Sequence, residues 1–328
     1  MRNYLNHLFK KERDLELLVT LWPTFPHFRK FATDERLAGI RLNTAMIKAA
    51  EIGTELKDAQ ALAGHVPLYF DIKGRQLRVM EVVPNNDHLE VILNHPIEAR
   101  TPTMVLFKGG EDYALLNRIE GGKRLVFEGG SQYMVYRGES LHIKDPSYNM
   151  IGPTFLDYEI EKIEKAKAAG FDRYYLSFVE SQKDVDQFRE IVGDSEIVLK
   201  IESKKGLQYV MNEYRKQKNV YLCAARGDLY VEIDKPHHMM EAMKLIIAKD
   251  PEAVIGSRML LSVINHPVPA AADLSELSWI YDIGYRKMLL CDELCLDGDK
   301  LGRAVNVLES FRKDYAGEGR VHPEWFYS

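Results

Sequence analysis

Two charged residues, Lys200 and Glu202, close an otherwise apolar run, IVLKIES. A spacing of two puts both side chains on one face of a strand. Burying such a pair is costly without a purpose. The next apolar run ends in AARGDL, so Asp228 falls just beyond it, close to Glu202 if the two runs are adjacent strands. Glu202 and Asp228 together suit a hard cation, because Mg2+ (or Mn2+) takes oxygen ligands and keeps positions open for substrate. The plain alternative is a salt bridge between Lys200 and Glu202 with no metal. Ala225, Arg226 and Gly227 occupy the turn after their run, where backbone N–H groups can cradle a carboxylate or phosphate. Ser257, ending a later run, adds a hydroxyl. Arg41 with Asn43, and Asp71 with Lys73, repeat the two-residue spacing at the ends of two earlier runs. Cationic groups there suit an anionic, phosphorylated substrate. Charged strand ends often simply meet solvent, so the weight lies in the agreement of five runs.

Such convergence needs a scaffold that brings many strand ends to one place. Strand-like runs lie at Leu17–Leu21, Gly39–Leu42, Val66–Asp71, Tyr174–Phe178, Ile197–Glu202, Val220–Ala225, Ala253–Ser257 and Lys287–Leu290. Most are nearly continuous apolar text, as in parallel strands covered on both faces. Helical periodicity marks Thr44–Leu62, Phe155–Ala169, Lys183–Val192 and Pro236–Ala248, and Gly170 is placed to cap the second of these. Eight alternating units predict an α/β fold of the closed (β/α)8 TIM barrel type. The rhythm breaks between Gly74 and Tyr148, where RQLRVMEVV, HLEVILN, TMVLF, KRLVFEGG and QYMVYRG are punctuated by Asn and Gly turns. This predicts a small all-β domain, residues 74–148, inserted after the third strand of a barrel formed by 1–73 and 149–328. Loops after barrel strands open at the catalytic face, so the insertion is expected to act as a lid. A long decorated loop without function is the competing reading.

The bulk properties exclude several function classes. The 328 residues are 46% hydrophobic and 28% charged, with net charge −5 and no concentrated basic field, so nucleic acid is not an expected partner. No apolar run reaches membrane-spanning length, and the opening MRNYLNHLFKKERD lacks a signal-peptide core; cytoplasmic residence is expected. Three cysteines, Cys223, Cys291 and Cys295, fit a reducing compartment, and the leucines around the last two point to packing instead of a metal pair. His237 and His238 follow Pro236 at a helix start, as an exposed turn would place them.

RLN at Arg41–Asn43, DIKGRQLR at Asp71–Arg78, LSFVES at Leu176–Ser181, LKIES at Leu199–Ser203, ARGDLYVEI at Ala225–Ile233 and SRML at Ser257–Leu260 resemble, in order, the motifs of the pyruvate kinase family. The resemblance implies a (β/α)8 barrel with a β domain after the third strand. It also implies phosphoryl transfer between phosphoenolpyruvate and ADP with Mg2+ and usually K+. Carried over by position, Lys200 would stand at the transferring phosphoryl group and Arg41 would contact it. Glu202 and Asp228 would be the Mg2+ ligands, while the Ala225–Gly227 amides and Ser257 would hold the substrate carboxylate. A metal-dependent aldolase barrel would also use Glu and Asp, but it needs neither the insertion nor a Lys two residues before the Glu.

The departures lie on the nucleotide side. The family's N-x-S and D-T monovalent-cation ligands read Asn43-x-Ala45 and Asp71-Ile72 here, which removes two of four and argues against K+ dependence. S-H-G becomes Ala45-Met46-Ile47, T-R-A-E becomes Ala270–Asp273, and S-G-E-T becomes Cys291–Leu294. VFEGG at Val126–Gly130 partly matches the family's lid motif V-D-D-G, and the family's C-terminal regulatory domain is expected to be absent. Three readings stay open. One is a phosphotransferase acting on phosphoenolpyruvate, pyruvate or a related 2-oxo acid, with ADP or ATP bound in its own way. The second is a divergent enzyme doing lyase, decarboxylase or aldolase-type enolate chemistry. The third is a non-catalytic binding homologue. Oligomeric state is open, a homo-oligomer included.

Overall fold

The computed structural model describes residues 15–44, 52–85 and 87–315. Barrel strands β1 (Glu16–Leu21), β2 (Leu37–Asn43) and β3 (Leu68–Ile72) come first. The inserted text then forms β4 (Val79–Val83), β5 (Glu90–Leu93), β6 (Ile97–Glu98), β7 (Thr103–Phe107), β8 (Asp112–Glu120), β9 (Arg124–Glu128), β10 (Leu141–Ile143) and β11 (Asn149–Met150). The barrel resumes with β12 (Arg173–Leu176), β13 (Glu196–Ile201), β14 (Val220–Ala225), β15 (Val254–Gly256) and β16 (Lys287–Leu289).

The eight barrel strands close in the order β1-β16-β15-β14-β13-β12-β3-β2, all neighbours parallel. The expected (β/α)8 TIM barrel is therefore what the chain forms. Strand limits differ from the apolar runs by at most two residues, as strand ends usually do. The helix expected at Thr44–Leu62 is described from Ile52 onward; Ala45, Met46 and Ile47, like Asn86 and the opening fourteen residues, lie outside the described residues.

Side chains alternate as a closed parallel sheet demands. In β13, Ile197, Leu199 and Ile201 pack outward against the helices, while Val198 joins Leu18, Tyr69, Tyr175, Cys223, Val254 and Leu289 inside the barrel. The same alternation turns Lys200 inward, one layer above Val198. Gly170 has φ +87°, and the Phe171 amide bonds back to the Ala166 carbonyl, so it closes its helix as expected.

Between β3 and β12 stand a six-stranded sheet, β10-β7-β8-β9-β5-β4, and the pair β11-β6. Their own core includes Leu93, Val105, Phe107, Leu116 and Phe127. One expected strand is corrected here. QYMVYRG is an irregular segment with Tyr133, Met134 and Tyr136 exposed, and the closing strand is instead Leu141–Ile143. Its apolar residues lack the alternation that would bury one face. The long strand Asp112–Glu120 had no counterpart among the expected segments, because polar residues interrupt it.

Gly39 faces a crowded part of the barrel interior. A Cβ there would lie 2.7 Å from Tyr69 Cε2 and 3.3 Å from Leu18 Cδ2. The Tyr69 hydroxyl is tied to Glu196 at 2.9 Å, which restrains the ring from yielding. Gly39→Ala is expected to lower stability by roughly 1–3 kcal/mol, the usual cost of overpacking. Urea unfolding of the two proteins checks this; an unchanged midpoint would show that the interior can relax.

Candidate active site

The barrel mouth holds a cavity of about 370 Å³. Arg41, Asn43, Lys73, Lys200, Glu202 and Asp228 line it together with Ala225, Gly227 and Ser257. Asp71 and the Arg226 side chain are not part of this lining; the group expected of Arg226 at the substrate is its backbone amide. The Arg226 side chain turns away to Glu276 at 2.6 Å and to the Ser257 carbonyl, and Asp71 is fully buried beneath the floor.

Asp71 organises the floor. Its Oδ2 stands 2.8 Å from Lys73 Nζ, 3.6 Å from Arg41 Nη1 and 3.9 Å from Lys200 Nζ. Ser177 donates to Oδ1 at 3.3 Å. Burial favours the neutral acid, but the three cations overcome it and hold the carboxyl well below its usual range. Lys73 also donates to Asn43 Oδ1 at 2.8 Å.

Lys200 is 6% exposed, 2.9 Å from Glu202 Oε1 and 2.9 Å from Ser177 Oγ. Burial works against its charge, yet Asp71 and Glu202 more than offset this and keep it protonated. Glu202 also accepts the Phe178 amide at 2.9 Å, with Phe178 held at φ +52°. Burial and the nearby Asp228 charge push the Glu202 carboxyl up.

Asp228 lies in the first turn of the helix Arg226–Glu232 after β14. It accepts from Gln76 at 3.1 Å, and Gln76 in turn accepts from Arg78 at 2.6 Å. Ser257 Oγ accepts the Gly227 amide at 2.8 Å, which leaves the hydroxyl proton free to donate into the cavity. Ser257 and Arg258 both sit at left-handed φ, +63° and +58°, the kind of backbone strain that concentrates at functional sites.

Glu202 and Asp228 fit a divalent cation. They are two oxygen donors pressed together, one with its pKa raised partly by the other's charge, and a hard cation relieves that repulsion. Among the described residues no group of three or more His, Cys, Asp or Glu could hold a metal. The remaining positions would therefore fall to water or substrate. Cys223, Cys291 and Cys295 are buried free thiols, and His237 is exposed at its helix start.

Residues 137–286 match the family described as pyruvate kinase, barrel domain. The pyruvate kinase of Methanocaldococcus jannaschii is 24% identical over 322 residues, covering 92% of this chain and 69% of that protein. The chain is similar to the pyruvate kinases over most of its length. The Thermoplasma acidophilum pyruvate kinase is 23% identical over 80% of this chain and 51% of its own length. That of Agrobacterium vitis reaches 32% identity, over 37% of this chain and 26% of its own length.

Two further side chains reach the site that no spacing in the sequence marks as functional. Asp292, after β16, bonds Arg41 Nη2 at 2.8 Å and Asn43 Nδ2 at 2.9 Å. His142, on β10 of the inserted sheet, is 1% exposed and bridges to the barrel. Its Nδ1 is 2.6 Å from Glu232 Oε1, and its Nε2 stands at ion-pair distance, 3.3 Å, from Asp228 Oδ1. Neither shows a periodic signal; an acid at a strand end and a histidine between apolar residues are the only hints. Burial alone would push the His142 pKa down, but Asp228 and Glu232 raise it to about 9.

A raised folded-state value means the stabilisation is complete below the unfolded pKa of about 6.5 and is lost as pH climbs through the folded one. In chelator-containing buffer, His142→Ala is expected to lose up to about 3 kcal/mol of stability at pH below about 6.5. The gap should close above pH about 9. Denaturant titrations across pH measure it; a constant gap would mean the histidine is held neutral.

Proposed function

We propose that this chain is a pyruvate kinase-like phosphotransferase that acts on phosphoenolpyruvate, pyruvate or a related 2-oxo acid with a divalent cation. The observation that carries it is the convergence of Lys200, Glu202 and Asp228 on one cavity at the barrel mouth. In this reading ADP or ATP is the second substrate, residues 74–148 are the lid of a barrel made by 1–73 and 149–328, and the protein works in the cytoplasm.

Glu202 and Asp228 would hold the cation, which supplies positive charge against the oxygens of the reacting group. The Ser257 hydroxyl, steadied by the Gly227 amide, donates to the substrate carboxylate. The Lys200 ammonium, fixed by Ser177 and Glu202, faces the oxygen on which enolate charge grows, so it needs no reorganisation as that charge appears. Arg41 would contact the phosphoryl group by giving up its pairing with Asp292, and the inserted sheet would exclude water from above.

A second reading, enolate chemistry without phosphoryl transfer, is favoured by one observation: the Arg41 guanidinium is already paired with Asp292. A binding protein without catalysis is disfavoured by the presence together of Lys200, Glu202 and Asp228.

Oxalate, a stable mimic of the pyruvate enolate, should bind in calorimetry only weakly without Mg2+ or Mn2+ and more tightly with either. Glu202→Gln and Asp228→Asn should each abolish that enhancement; equal oxalate affinity with and without metal would remove the cation assignment.

Monovalent cations should matter little. Asn43 and Asp71, the two retained oxygen ligands, already bond the Lys73 ammonium at 2.8 Å each, and the Ile72 side chain belongs to the apolar core. Rates in Na+, K+ and tetramethylammonium should therefore be similar, and strong K+ activation would contradict the arrangement.

Lys200→Met tests the chemistry itself. With Mg2+ present, solvent deuterium should enter the methyl group of pyruvate or a close analogue, and the variant should slow this by a factor of ~100 or more. Transfer from phosphoenolpyruvate to ADP together with exchange supports the first reading, exchange alone the second. Binding without either reaction leaves a non-catalytic protein.

A further inference from the structure

Arg41 is a buried cation whose best partner comes from far along the chain. Asp292 begins the short helix Asp292–Cys295 after β16 and reaches past β1 to β2. Thr20, the inward residue near the end of β1, is small and turned to the Leu290 carbonyl, which leaves the path open. Both Asp292 oxygens are used: Oδ2 takes Arg41 Nη2 at 2.8 Å, and Oδ1 takes Asn43 Nδ2 at 2.9 Å. A carboxylate held by two donors from one strand is in the posture of a bound anion. Its side chain is still 38% exposed, so it faces the cavity and is not sealed in the core.

The charges around the cavity tell the same story. Arg41, Lys73, Arg78 and Lys200 are matched by Asp71, Glu202, Asp228 and Asp292. At the rim, Lys108 and Arg258 are matched by Glu111 and Glu293. A divalent cation on Glu202 and Asp228 would add two positive charges. The carboxylate and nascent enolate of a 2-oxo acid would cancel them. A phosphorylated enol brings more negative charge than that and needs its own donors. Arg41 Nη2 and Asn43 Nδ2, the donors that such a group would meet, are engaged by Asp292. Burial opposes the charge on Asp292, but Arg41 and Asn43 hold its carboxyl below the usual range, so the competitor is ionised.

We propose that Asp292 is a specificity residue, an internal carboxylate occupying the anion position formed by Arg41 and Asn43. It makes the site favour the free 2-oxo acid over ligands that carry a phosphoryl group. This rests on the assignment of the cavity to a 2-oxo acid and narrows it. A phosphoryl-bearing ligand binds only by displacing Asp292, which costs it the two contacts the aspartate now makes.

The test is calorimetry of the full chain with Mn2+, using inorganic phosphate, phosphoenolpyruvate and oxalate as probes. Asp292→Ala should raise affinity for phosphate and phosphoenolpyruvate by about 10-fold or more, the worth of one charge-assisted contact. Oxalate affinity should change far less. Asp292→Asn, close in shape, should give a smaller gain in the same direction and serves if the alanine variant fails to fold. Adding Arg41→Ala to Asp292→Ala should erase the gain, since the two residues then act as a coupled pair. Unchanged phosphate affinity in both variants overturns the proposal, as does an equal rise for oxalate, which would mean a general field effect. If oxalate never binds but the phosphate gain appears, the 2-oxo acid assignment fails while the role of Asp292 stands.

Discussion

A fully buried carboxylate is the constraint around which this barrel mouth is built. Asp71 has no exposure, and an isolated charge in that position would be untenable. Compensation comes from Lys73 at 2.8 Å, Arg41 at 3.6 Å and Lys200 at 3.9 Å. These belong to three barrel segments (β2, the end of β3, and β13), so satisfying one acid fixes the relative height of all three. Ser177, just past the end of β12, joins by touching both Asp71 and Lys200. The order of the cavity floor is thus a by-product of solvating one charge with protein groups. Breaking that set by removing a single partner would leave uncompensated charge in the interior, which is why such clusters resist piecemeal change.

The inserted sheet is bound to the same electrostatic problem. His142 stands between Glu232 and Asp228, and its neighbour Lys144 bonds the Val231 carbonyl. Val231 also meets the turn at Gly110, where a Cβ would come within 3.4 Å. Three points of one small sheet therefore grip the helix Arg226–Glu232, which carries Asp228. The His142 ring also lies 6.2 Å from that of Phe178, whose amide holds Glu202. Both candidate cation ligands are consequently braced from the insertion as well as from the barrel. A displacement of the sheet would disturb the contacts that hold both acids.

How much of this could be read from the sequence follows from the range of the interactions. The strands were legible because parallel barrel strands bury both faces and leave apolar runs. Lys200, Glu202, Arg41, Asn43 and Lys73 were legible because period two is local and charges at apolar strand ends stand out. QYMVYRG misled because aromatic and β-branched residues mark surfaces as well as strands; Tyr133, Met134 and Tyr136 are exposed. Asp292 and His142 were not legible as parts of the site. Their partners lie 251 and 90 residues away in the chain, and no spacing rule spans such distances. Asp71 was seen, but as a ligand for substrate; only its complete burial reveals it as the counter-ion of the floor.

The departures from the pyruvate kinase pattern also look different once contacts are known. In sequence they read as erosion of one half of a site. In space, the acid at Asp292 is bonded through both oxygens, and Lys73 fills the gap between Asn43 and Asp71. Random loss would leave buried donors and acceptors unpaired, at a cost of about 1–3 kcal/mol for each. Around this cavity the guanidinium Nε atoms of Arg41 and Arg78 and His142 Nε2 are without a hydrogen bond, and each of the three side chains makes other polar contacts. Asp292 and Lys73 are paired with groups of the site itself. Under the role proposed for Asp292, that pairing would set the ligand charge the site accepts, and it would act at Arg41, which the internal carboxylate holds.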